Sequence, residues 1–200
     1  MRKARVGSWR AYDPDAASPA TVIGAARLVT APRVRVLGLD PGSRRTGYGI
    51  VDACGPELVH VAHGCIDVKA DEFATRLRRI HGELAQVFAN YQPMELAIER
   101  VFVSRNVDSA LKLGQARGAA LAAVPVAVAV HQYAPRAVKL AIVGAGGADK
   151  AQVQHMVTSL LQLGQRPNAD AADALAIAIC HASHRRLALL GSVTLPAVPA

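Results

Sequence analysis

Val34-Arg35-Val36-Leu37-Gly38-Leu39-Asp40-Pro41-Gly42-Ser43 joins an apolar run to a Pro-Gly stop, and its reading decides the fold. A run of this kind predicts a buried β-strand, Val34–Leu39, that ends in a turn. Asp40 then stands at the carboxyl end of the strand, with its backbone held by the sheet and its side chain at an open edge. That placement suits a metal ligand or a general acid/base, because the sheet fixes the carboxylate in position. Asp and Pro-Gly are also ordinary turn residues, so on this stretch alone a plain turn cap stands equally open.

Outward from this strand the pattern continues as turn and strand. The loop Asp40–Arg45 leads to Thr46–Val51 and then Leu58–Ile66, short strands that predict an antiparallel meander. Between Glu72 and Phe88, apolar residues at Phe73, Leu77, Ile80, Leu84, Val87 and Phe88 keep intervals of three and four, which predicts an amphipathic helix. Leu96-Ala97-Ile98-Glu99 reads as another buried strand. Asn106 or Asp108 caps a helix running towards Ala123. Gly114 and Gly118 lie one turn apart on it, where each costs about 1 kcal/mol relative to Ala. They mark either a surface that another backbone approaches closely or a flexible helix end. Val126–Val130 is expected as a strand and Pro135–Ile142 as a short helix, followed by a glycine-rich loop at Gly144–Gly147. Asp149 caps a helix to about Leu163, and Pro167-Asn168 starts the last helix, Ala169–His184. Strands first, then alternating helices and strands, predict an α/β fold with a mixed sheet flanked by helices.

Two hundred residues fit one domain with a substantial core. The formal charge of +8 divides evenly: residues 1–33 hold six Arg/Lys against two Asp, and the remainder 17 against 13. Such a balance favours a polyanionic partner such as nucleic acid. Cys54, Cys65 and Cys180 show no CxxC or Cys/His ligand spacing, so they read as reduced thiols of a cytoplasmic protein. The longest apolar run, Ala119–Val130, has twelve residues and contains Pro125, too short to span a bilayer. No secretory signal is evident, since Asp13, Asp15 and Arg27 interrupt the amino-terminal region.

Acidic residues stand where the sequence otherwise reads as core. Asp40 ends an apolar strand, Glu99 ends another, and Asp170 and Asp173 open a helix of Ala, Leu, Ile and Cys. At i and i+3 the last two project from one face. Buried carboxylates need a cation or a metal. Singly, each has an ordinary explanation: a helix dipole for Asp170 and Asp173, an arginine partner for Glu99. Jointly, oxygen ligands without a matching His/Cys set point to Mg²⁺ or Mn²⁺. Two such ions about 4 Å apart serve phosphodiester hydrolysis.

Asp40-Pro41-Gly42-Ser43-Arg44-Arg45-Thr46-Gly47-Tyr48-Gly49 and Ala97-Ile98-Glu99-Arg100-Val101-Phe102 resemble the first two motifs of the RuvC family of bacterial Holliday-junction resolvases. The runs Asn106–Gly118, Ala148–Val157 and Ala169–Ala176 match that family in the same order, so the resemblance covers about residues 34–187. It implies a ribonuclease H-like fold and a homodimer that nicks opposed strands of a four-way junction symmetrically, in homologous recombination and DNA repair. Asp40, Glu99, Asp170 and Asp173 match the family's acidic residues, which coordinate Mg²⁺ and activate water, leaving 5′-phosphate and 3′-hydroxyl ends. Phe102 matches an aromatic that meets bases near the crossover; a core Phe is its other reading. Lys139 and Lys150 match basic residues near the DNA, where a solvated surface charge is the other reading. The Gly114/Gly118 helix corresponds to the dimer-forming element, and the family works with the RuvA–RuvB branch-migration complex.

The domain organisation expected on this basis is a disordered extension at 1–33, a nuclease domain at 34–187 and a flexible tail at 188–200. An internal start at Val34 would make the extension an artefact. Two departures from the family pattern concern the segment before Tyr133. Ala119–Val130 replaces a longer helix and polar turn, which would weaken dimer packing, and Gln132 stands where an acid is usual. Two other functions are open: phosphotransfer of the sugar-kinase or actin-like ATPase type, and junction binding without cleavage. No second glycine-rich phosphate loop after a strand supports the former.

Overall fold

The computed structural model describes residues 32–69, 72–100 and 106–191. Phe102, all but the last two residues of the expected extension and the tail beyond residue 191 lie outside them. The chain runs β1 (Val34–Asp40), β2 (Arg45–Cys54), β3 (Glu57–Asp67), α1 (Phe73–Tyr91), β4 (Glu95–Glu99), α2 (Val107–Ala122), β5 (Ala129–Tyr133), α3 (Pro135–Val143), α4 (Lys150–Leu160) and α5 (Ala169–Gly191). The five strands form one sheet in the order β3-β2-β1-β4-β5. β1, β2 and β3 make the expected antiparallel meander, and β4 and β5 run parallel to β1 and to each other.

β1 lies at the centre and is covered on both faces, which explains its nearly continuous apolar sequence. Val34 and Val36 face one core with α3, α4 and α5. Leu37 and Leu39 face the other, with α1 and α2. At the start of β1, Arg35 grips the buried Asp52 of β2 in a two-point ion pair at 2.7 and 2.9 Å. It also donates to the Tyr91 carbonyl at 2.9 Å, satisfying the end of α1. The hydrogen bond and charge of Arg35 hold the Asp52 carboxyl below its usual range.

α5 is enclosed between the sheet and the α3/α4 layer, and residues 171 to 182 are buried almost without a break. Small side chains let it settle onto the sheet, and so do glycines beneath it. A Cβ on Gly38 would stand 2.0 Å from the Ala174 carbonyl oxygen, and one on Gly47 would stand 2.1 Å from that of Asp170. Helix and sheet backbones therefore meet where Asp170 and Asp173 emerge.

Several boundaries differ from expectation, those of β2 and α4 by about three residues at their carboxyl ends. The strand expected at Val126–Val130 begins at Ala129, because Val128 closes a turn by donating to the Pro125 carbonyl at 2.9 Å. The hydrogen bond of this turn overrides the β-propensity of the valines, and Val126 within it is fully exposed. The last helix, expected to end near His184, continues to Gly191, so residues 188–191 belong to α5 and not to a tail. No helix among the described residues is long and apolar enough to cross a membrane.

Gly38→Ala is expected to destabilise the fold by about 3 kcal/mol, because backbone cannot yield as a side chain can. Gly82→Ala, inside α1 with nothing within 4 Å of the added carbon, is expected to stabilise by about 0.4–1 kcal/mol. The urea midpoints of the two variants check both signs.

Candidate active site

The carboxyl ends of β1 and β4 carry Asp40 and Glu99 to one edge of the sheet, and the first turns of α5 bring Asp170 and Asp173 over it. Asp40, Glu99 and Asp173 line a cleft of about 280 Å³, together with Lys139 from α3 and Lys150 from α4. Asp170 stands to the side, with its carboxylate 3.7 Å from the Arg45 guanidinium and 4.0 Å from Cys65 Sγ. Asn168 fixes the start of α5: its side-chain oxygen accepts from the Ala171 amide at 2.9 Å and from Cys65 Sγ at 3.1 Å. Phe102 lies outside the described residues.

The charges of this cluster do not cancel. Burial first, then the neighbouring charges of Asp173, Glu99 and Asp170, push the Asp40 carboxyl up to about 7, against a smaller opposing effect of Lys150. Glu99 is raised as well, by burial and then by Asp173. Lys150 reaches Asp173 at 3.3 Å, and that neighbour raises the lysine pKa, which keeps the ammonium charged. Lys139 and the largely exposed Lys150 set two ammoniums against three carboxylates in the cleft, which leaves negative charge in excess. The donor set is all oxygen, with no His, Cys or Met among the described residues that line the cleft, and this fits a hard divalent cation. Lys139 lines the same cleft, and its charge acts to lower the Glu99 pKa.

Arg117 of α2 is a contributor that the sequence reading passed over. Its guanidinium donates to the Glu99 backbone carbonyl and, at 3.1 Å, to the side-chain oxygen of Gln132 on β5. Gln132 thus serves as the acceptor that joins β5 to α2, a role open equally to the acid expected there. An arginine inside a helical run gives no sign in sequence that it reaches a carbonyl 18 positions away. The loop Gly144–Gly147 follows α3 and not a strand, unlike a phosphate loop of the kinase kind.

Residues 36–181 match the family model described as crossover junction endodeoxyribonuclease RuvC. A relative of that name from Marinobacter nauticus is 57% identical over 148 residues, 74% of this chain and 85% of its own. Among solved structures, Thermus thermophilus RuvC superimposes with a TM-score of 0.69 at 34% identity, covering 77% of this chain and 96% of the other. The same protein in complex with a Holliday junction substrate gives 0.69 at 32% identity, with 76% and 96% covered. A ribonuclease H-like sheet, an acidic cleft at its edge and a match over most of the chain place this protein in the RuvC family of crossover junction endodeoxyribonucleases.

Proposed function

We propose that this chain resolves four-way DNA junctions by metal-dependent hydrolysis at the cleft of Asp40, Glu99 and Asp173, with Asp170 completing the acidic set. The observation that carries this reading is the gathering of Asp40, Glu99 and Asp173 in one cleft with only Lys139 and Lys150 beside them, where burial and then the neighbouring carboxylates push the Asp40 carboxyl up to about 7. Asp40, Glu99, Asp170 and Asp173 are the proposed ligands of Mg²⁺, two ions per site, with Mn²⁺ able to replace it. When bound, the metal supplies the charge that makes water a nucleophile near neutral pH and stabilises the leaving oxygen. The protein's part is positional. β1 and β4 hold Asp40 and Glu99 through their backbones, Arg117 braces the Glu99 carbonyl, and Lys150 orients Asp173. Lys139 and Lys150 are proposed to contact phosphate at the cleft, and Phe102 to stack on a base near the crossover.

Two such sites are needed for paired nicks, and α2 carries the surface we assign to a second copy. Val107, Leu111, Gly114 and Gly118 recur at intervals of four, three and four, and all four are exposed. Val107 is 70% and Leu111 60% exposed, and a carbon added at either glycine would meet nothing within 4 Å. An apolar stripe with this spacing suits helix-to-helix packing. Association with a RuvA–RuvB machine, in the cytoplasm where the DNA lies, completes the proposal. The reading as a non-cleaving junction binder predicts binding without nicks.

On a synthetic four-way junction with Mg²⁺, wild type should give symmetric nicks. Asp40→Asn and Glu99→Gln should bind the junction but cut about a thousandfold more slowly, as expected when several kcal/mol of charge stabilisation is lost. Undiminished cutting by either variant would remove these residues from the mechanism. Leu111→Arg should shift the protein from dimer to monomer in sedimentation and uncouple the paired nicks while leaving each cleft intact.

The pH dependence of stability has a definite sign. The Asp40 pKa is raised from 3.8 to about 7, so the folded chain holds that proton more tightly than the unfolded one. The resulting stabilisation is complete below about pH 4 and is lost as pH rises through about 7. In chelator, thermal unfolding should therefore occur at lower temperature at about pH 8 than at about pH 5, where the proton is retained. Asp40→Asn should lack much of this decline, and Mg²⁺ should relieve it in wild type.

A further inference from the structure

The seam between β4 and α5 carries a second group of metal-ligating side chains at its other end. Glu95 begins β4, four residues before Glu99, so it lies roughly 13 Å along the strand from the acidic cleft. Glu95 pairs with Ala129 and Ala97 with His131, which places Glu95 and His131 on the sheet face that α5 covers. α5 supplies His181, only 3% exposed. One ligand atom from each of Glu95, His131 and His181 falls within 4.8 Å of the other two. The two imidazoles overlap at 4.4 Å between ring centres and 33° between planes.

The surroundings orient this group as a ligand set. His181 Nδ1 meets the Tyr133 hydroxyl at 2.6 Å, and Nε2 faces Glu95 Oε2 at 2.5 Å. Metal-binding histidines have their second nitrogen held in this way, which fixes ring and tautomer. Arg185 Nε donates to both Glu95 oxygens, at 2.9 and 3.1 Å, and aims the carboxylate at His181. Its positive charge disfavours a hard ion held by charge alone and favours one held through imidazole nitrogen. The neighbouring His184 is engaged with the Cys180 carbonyl at 2.9 Å.

We propose that Glu95, His131 and His181 bind a borderline divalent ion of the zinc class, at a site separate from the catalytic cleft. Two imidazoles and one carboxylate are a zinc donor set that leaves a fourth position open to water. The ion takes the place of the hydrogen bond between His181 and Glu95. The imidazole proton moves from Nε2 to Nδ1, and the Tyr133 hydroxyl turns from donor to acceptor, so His181 is neutral before and after. Bound there, the ion clamps β4, β5 and α5 together at the end of β4 opposite Glu99. This site is independent of the reading of the acidic cleft.

Calorimetric titration of the full chain with zinc chloride, with Mg²⁺ in large excess to fill the acidic cleft, tests the assignment. Wild type and Asp40→Asn should each bind one zinc per chain and unfold at a higher temperature with it. His131→Ala, which removes a partly exposed ring and leaves the Glu95–Arg185 ion pair intact, should weaken zinc binding at least about tenfold and lose the thermal shift. His131→Cys, which returns a zinc ligand to the position, should recover it, so that loss in the alanine variant is not mere unfolding. The proposal is overturned if wild type takes up no zinc. It is equally overturned if His131→Ala binds as wild type does, if Asp40→Asn abolishes binding, or if the cysteine variant fails to recover it.

Discussion

The contact on which the rest depends is backbone against backbone, where α5 crosses Gly38 of β1 and Gly47 of β2. Gly38 and Gly47 sit directly beneath carbonyl oxygens of Ala174 and Asp170. A helix packed on ordinary side chains would stand farther from the sheet, as the roughly 10 Å spacing of packed layers implies. Asp173 could not then share a cleft with Asp40 and Glu99. The alanines of α5 serve the same closeness from the other side. What reads as low-complexity apolar sequence between residues 171 and 182 is the condition for bringing acids from the helix to acids on the strands.

Closeness has an electrostatic cost, visible in the raised pKa values of Asp40 and Glu99. A protein selected for stability alone would not gather these carboxylates, because each raises the cost of ionising the others. The fold tolerates them by setting them at the sheet edge, with Lys150 alongside, and by strong compensation elsewhere. Arg35 and Asp52 show the contrast: there an ion pair is closed within the fold, and the acid is stabilised in its charged form. Closed pairs belong to structure. Open, uncompensated carboxylates belong to chemistry that brings its own cation.

How much of this was legible in the sequence varied with the range of the interaction concerned. The strands of the meander, the acidic strand ends and the i, i+3 aspartates could be read directly, because each is written in a short continuous stretch of sequence. β5 was displaced because Val126 and Val128 have strand propensity, whereas the turn closed onto Pro125 takes precedence. The carboxyl end of α5 was placed too early because Pro196 and Pro199 make the apolar run beyond Arg186 read as an unfolded tail, whereas Leu187, Leu189 and Leu190 continue the helix with exposed side chains. Arg117 and the Glu95, His131 and His181 group were invisible for a different reason. Their partners lie 15 to 90 positions away, and no local pattern marks a side chain that meets its partner only after the sheet has formed.

The two ends of the β4–α5 seam show how one geometry can carry two chemistries. β4 places Glu95 and Glu99 on one face, four residues apart, and α5 presents Asp173 and His181 to that face, eight residues or about two turns apart. Four strand residues and eight helical residues span nearly equal lengths, roughly 13 and 12 Å, so each acid on the strand meets a polar residue on the helix. Between them, Ala97 and Ile177 fill the seam with apolar contact. The acid-only end opens to a cleft and gathers negative charge. The histidine end is closed, hydrogen-bonded and nearly balanced. Burial and ligand type, not the backbone frame, separate a site suited to a hard ion and a phosphate from one suited to a borderline ion and a fixed structure.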